Sequence, residues 1–173
     1  MSNFEIKGFY RDRLTDVNQQ LIFDSGWKSN LIVLQCRELL AGFMMNDSVL
    51  GIQSLQVGRG DVSWDTPPPP APDPNTTIEL VDPAPHIIQS SDLTLQYITA
   101  SDGVSDDPTH RIEIIAVLGV GEPTPDTEPP YPLREFGLFG DLNGTPYMID
   151  YIRHPLIEKN GAATLERRVR FTF

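Results

Sequence analysis

The sequence predicts a β-rich α+β fold, an antiparallel sheet or sandwich with one main helix. Three observations carry this expectation. Apolar residues recur at helical spacing in one segment, about 30–46. Several other segments alternate with period two, and two proline-rich stretches, 66–74 and 121–132, fit neither pattern. At 173 residues the chain is the size of one domain, so residues 1–173 are expected to share one main core.

Taken in order, Phe4 to Tyr10 and Leu21 to Phe23 read as short strands. The helix follows. Asn30 suits an N-cap, Ile32, Cys36, Leu39, Leu40, Phe43 and Met44 form one apolar face, and Asn46-Asp47 closes the run, giving a helix near Leu31 to Met44. Leu50 to Val57 reads as a strand entering the turn Gly58-Arg59-Gly60-Asp61. Thr76 to Val81, Leu93 to Ile98 and Arg111 to Leu118 have β-branched, alternating character. Leu133 to Phe139, Tyr147 to Ile152 and Thr164 to Phe173 complete the strands, separated by Gly140-Asp141-Leu142-Asn143-Gly144 and Asn160-Gly161. In the last strand Leu165, Val169, Phe171 and Phe173 share one face, and Glu166, Arg168, Arg170 and Thr172 the other. Proline fixes φ and removes a donor, so the two proline stretches are expected to run over the surface as extended arms that touch neighbours in an assembly.

Composition excludes several functions. A net charge of −11 repels a phosphate backbone, so no nucleic-acid partner is expected, and Arg167, Arg168 and Arg170 read as a solvated or interface strand face. The single cysteine, Cys36, lies among apolar residues and is expected to be buried. Met1-Ser2-Asn3-Phe4-Glu5 has neither a basic nor an apolar leader character, and no apolar run is long enough to span a bilayer. A soluble chain made in the cytoplasm, without membrane insertion, is the expectation.

The chemistry of catalysis leaves no trace in the motifs. His86, His110 and His154 are scattered, and the acidic loop around Asp102, Asp106 and Asp107 lacks the ligand spacing of a calcium loop. Asp126 and Glu128 sit on a proline arm with no pocket to hold them. The Arg59-Gly60-Asp61 triplet reads as a turn. No catalytic residue, metal ligand or cofactor is expected, and the chain is not expected to be an enzyme.

The last forty or so residues carry the most information. Leu133-Arg134-Glu135-Phe136-Gly137-Leu138-Phe139-Gly140, then Asn143-Gly144, then Met148-Ile149-Asp150-Tyr151 and Ile152-Arg153-His154-Pro155-Leu156-Ile157-Glu158-Lys159, resemble the N-terminal, baseplate-attaching region of phage tail-collar fibre proteins. Gly26-Trp27-Lys28-Ser29-Asn30-Leu31-Ile32-Val33 and Leu55-Gln56-Val57-Gly58-Arg59-Gly60 resemble that family's upstream helix entry and its Val-Gly-x-Gly segment. The resemblance implies a structural part of a phage tail or phage-derived contractile injection system, a tail-fibre base or baseplate-to-fibre connector. It further implies a homotrimer that contacts other tail, baseplate or fibre proteins, located in the virion tail or a cytoplasmically assembled tail-like particle. Members usually continue into a long fibre, whereas this chain has only one more strand, which favours a connector over a host-recognising tip.

The residues expected at an oligomer or partner interface are Arg134, Glu135, Phe136, Gly137, Leu138 and Phe139, with Val169, Phe171 and Phe173. Their two-sided apolar character needs cover on both faces, supplied by a neighbouring copy or by a second layer of the same domain. The alternative is a receptor- or glycan-binding adhesion module, with Trp27 and Trp64 as contacts.

Overall fold

The computed structural model describes residues 5–173; Phe4, at the start of the first expected strand, lies outside them. In chain order the elements are β1 (Lys7–Thr15), β2 (Leu21–Asp24), β3 (Lys28–Ser29), β4 (Leu31–Ile32), α1 (Leu34–Met44) and β5 (Val49–Gly58). After a long excursion come β6 (His86–Gln89), β7 (Leu93–Ile98), β8 (Val104–Ser105) and β9 (Arg111–Leu118), then β10 (Tyr131–Leu142), β11 (Thr145–Lys159) and β12 (Thr164–Thr172). All pairings are antiparallel. One sheet runs β2-β1-β12-β9-β7-β8, with β3 also on β1; the other runs β4-β11-β10-β5-β6.

The two sheets face each other because their strands alternate. In β12, Leu165, Val169 and Phe171 are buried while Glu166, Arg168 and Arg170 are not, and Tyr10 and Leu14 of β1 continue the same face. Phe136 and Leu138 of β10 project from the opposite sheet into this core, where Tyr10 meets Phe136 edge-to-face at 5.4 Å. The β10–β11 hairpin turns on Asn143-Gly144 alone, both at positive φ, so that Leu142 pairs with Thr145. Both strands are therefore longer than their apolar runs suggest.

The helix begins at Leu34 rather than Asn30. Leu31 and Ile32 pair with Tyr151 and Asp150 of β11, and the Asn30 amide is drawn 2.7 Å to the Asp150 carboxylate instead of capping α1. At the other end Asn46 adopts a positive φ and the Asp47 amide donates to the Gly42 carbonyl, which stops the helix as expected. Cys36 is buried, and burial pushes its thiol up to about 11.

Thr76–Val81 forms no strand. The amides of Thr76 and Thr77 turn back onto the Asp73 carbonyl, and Leu80 is buried under the excursion that runs from β5 to β6. That excursion covers the outer face of the second sheet. It packs Leu80 against Phe139, Met148, Tyr151 and Val33 in a second, smaller core.

Both proline stretches run over the surface, largely exposed, and each is bonded to its own chain. The first is tied down along its length: Asp65 receives Arg134, the Pro70 carbonyl accepts from Arg153 at 3.1 Å, and the Pro74 carbonyl accepts from the Leu34 amide at 2.9 Å. The second packs on the β11–β12 turn, where the Gly121 amide donates to the Gly161 carbonyl and the backbone of Pro125 and Asp126 fills the space a Gly161 side chain would need. Lys159 lies beneath it, donating to the carbonyls of Gly119 and Asn160. Pro132 belongs to β10, in its first two residues, where a missing donor is tolerated.

Candidate functional site

The nine residues expected at an interface are brought close together, but mostly inside one chain. Phe136, Leu138, Val169 and Phe171 are buried between the sheets, and Phe139 is buried beneath the excursion. Fully buried side chains have no area to present to a second copy. The cover that the two-sided β10 needs comes from its own chain, the first sheet on one side and residues 59–85 on the other. Gly137 does admit a close backbone, that of β11: an added Cβ would lie 3.0 Å from the Asp150 carbonyl oxygen. Of the nine, Phe173 alone is partly open, at the rim of a groove described below.

Arg134 and Glu135 hold the excursion in place. The Arg134 guanidinium makes a two-pronged contact with Asp65 at 2.7 and 2.9 Å and donates to the Arg59 carbonyl. The buried Glu135 carboxylate accepts from the amides of Val81 and Asp82 at 3.0 and 2.7 Å, and from the Tyr151 hydroxyl. Arg59-Gly60-Asp61 is absorbed in the same way: Arg59 stacks on Tyr131 and pairs with Asp82, while Asp61 accepts from the Ser63 amide. Trp64 is buried beneath Arg153, 4.8 Å from its ring, and Trp27 lies under Arg170 at 4.1 Å. Trp64 therefore offers no open face to a sugar, while Trp27 stays 38% exposed. Asp102, on its acidic loop, is engaged by Arg111 and Arg170, which hold its carboxyl below the usual range.

A charge network between the sheets is the main feature that sequence reasoning missed. Arg167 lies on the apolar face of β12, not on a wet one. It is buried, bonded to the equally buried Asp12 at 2.6 and 2.9 Å, and stacked 4.0 Å above the Phe136 ring. The Nη2 that bonds Asp12 also donates to His154 Nε2 at 3.1 Å, while His154 Nδ1 donates to the Pro155 carbonyl. This tautomer is the neutral one, and burial followed by the neighbouring guanidinium pushes the imidazole down to about 4. Asp150 is fully buried near the same network. It accepts from the Leu138 amide and the Asn30 side chain, and burial raises its carboxyl to about 7.

These groups are held apart from solvent and bond to one another and to the fold, with only Arg167 Nη1 and Asn30 Oδ1 left without a partner among the described residues. Among the described residues, no three His, Cys, Asp or Glu side chains gather as metal ligands. A second missed feature is apolar. Between α1, the first half of β5, and the β7 and β9 edge of the first sheet lies an open groove of about 550 Å³, floored by Cys36, Leu39, Ile114 and Phe171.

No protein-family model, curated protein or solved structure matches the chain.

Proposed function

We propose that the chain is a non-catalytic structural component of a phage tail or phage-derived contractile injection system, a tail-fibre base or baseplate-to-fibre connector. It acts as a homotrimer among other tail, baseplate or fibre proteins, in the virion tail or in a tail-like particle assembled in the cytoplasm. The observation that carries this reading is the use of the Arg134–Phe139 segment. The residues of the tail-collar-like motif lock a long hairpin between two layers of its own chain, making a stiff body suited to bearing load. The polar groups with the strongest perturbation by burial are spent inside that body, and an apolar groove stays open on it, a surface suited to contact.

Deleting the gene in the producing strain tests the proposal. Particles that keep tube and sheath but lose their fibres are the expected product; particles with fibres attached as before would overturn it.

A further inference from the structure

The groove beside α1 has an exposed rim. Leu40, Phe43, Leu50, Leu95 and Tyr97 line it with 40% to 67% of their surface open, and Met44 and Met45 stand beside it at the end of α1, 77% and 74% exposed. At about 200 Å² for a large side chain, these residues together offer on the order of 800 Å² of apolar area. That exceeds the roughly 300–600 Å² of the largest patch on a typical monomer and equals the ~800 Å² per partner of a standard specific interface.

The flanking backbone is also open. Among the described residues β6 pairs with Ser54–Val57 only, leaving residues 49–53 of β5 without a strand partner on that side, and β8 reaches only Tyr97 and Ile98 of β7.

The lining argues against a small molecule and for a protein. A small-molecule site needs convergent polar groups to orient its ligand. Here the single charged lining residue, Glu113, is engaged by Arg170 at 2.7 Å, Arg168 at 3.2 Å and Gln96 at 2.8 Å. An uncharged contact lets two copies that each carry −11 meet without opposing like charges, and this groove offers one. It also adjoins its own complement. A projecting Phe43-Met44-Met45 knob lies next to a concave apolar floor, so an axis beside the patch carries each knob into the groove of the next copy.

We infer that the knob at the end of α1 and the groove between α1, β5 and β7 form the contact between copies of this chain. This deepens the homo-oligomer part of the proposed function and replaces the C-terminal aromatic residues as the contact surface.

The test compares the purified full chain with Phe43→Gln/Met45→Gln, which removes apolar area from exposed positions without adding charge. A second double variant, Leu21→Gln/Phe23→Gln, alters the exposed edge strand β2. Sedimentation at about 100 μM is expected to give a multiple of the chain mass for the wild type and the β2 variant. The α1 variant is expected to show self-association weakened about 100-fold, with an unchanged thermal melt. An α1 variant that keeps the wild-type mass overturns the inference and leaves the connector function standing. A wild type of single-chain mass overturns both the inference and the homo-oligomer, but not the presence of the chain in tail particles, which is measured separately.

Discussion

Replacing Arg167 with leucine is expected to destabilise the fold by about 3–5 kcal/mol, because it strands the Asp12 carboxylate in the core. The Asp12 backbone amide is satisfied by Ser25, but its carboxylate oxygens are bonded to Arg167 alone. In a domain of this size the melting temperature should fall by about 10 °C or more. Asp12→Leu in the same chain is expected to restore a large part of the loss, since the pair acts as a unit and an apolar pair of similar volume suits the site. Urea midpoints of the two single variants and the double variant measure this. A double variant as unstable as the sum of the singles would show that the pair is not coupled.

Asp150→Asn is expected to do the opposite and stabilise the protein at pH 8. The Asp150 carboxyl titrates near 3.8 when solvated and near 7 in the fold, because burial disfavours its charge. Below about pH 3.8 it is neutral in both states and contributes nothing. As pH rises, the unfolded chain releases the proton first, so the folded state is progressively penalised, and above 7 the full penalty applies. A difference of that size corresponds to a penalty on the order of 4 kcal/mol. The carboxamide introduced by the substitution can still accept from the Leu138 amide through its oxygen, and its nitrogen can donate to Asn30 once the Asn30 amide turns over to present Oδ1, which has no protein partner in the wild type, in place of Nδ2. His154, held neutral, penalises the fold below about pH 6.5, but that effect cancels in the difference between the two proteins. The stability gap should therefore open between pH 4 and pH 7 in chemical denaturation. A gap that stays constant across this range, or an asparagine variant no more stable at pH 8, contradicts this assignment.

Much of the fold was legible in the sequence. Leu93–Ile98 and Arg111–Leu118 are strands over the residues their alternation indicates, and the β12 pattern holds to within a residue. Thr76–Val81 misled because β-branched composition says nothing about where the backbone hydrogen bonds go; the Val81 and Asp82 amides go to a side chain, Glu135. Asn30 misled because its capping chemistry was claimed by a distant carboxylate. A sign of the buried ion pair was present. Arg167 lies in phase with Leu165 and Val169, and Asp12 lies in phase with Tyr10 and Leu14, one basic and one acidic residue in the apolar rows of two strands that pair directly. The apolar period of α1 marked Cys36 and Leu39, which are buried, but could not indicate that Leu40, Phe43 and Met44 would be left uncovered, because that depends on what the rest of the chain lays over them.

Quantitative mass spectrometry of purified tail particles from the producing strain tests the central claim most directly. The chain should co-purify with tube, sheath and baseplate proteins in a fixed copy number divisible by three. Its absence from particles of a strain that expresses it would contradict the account.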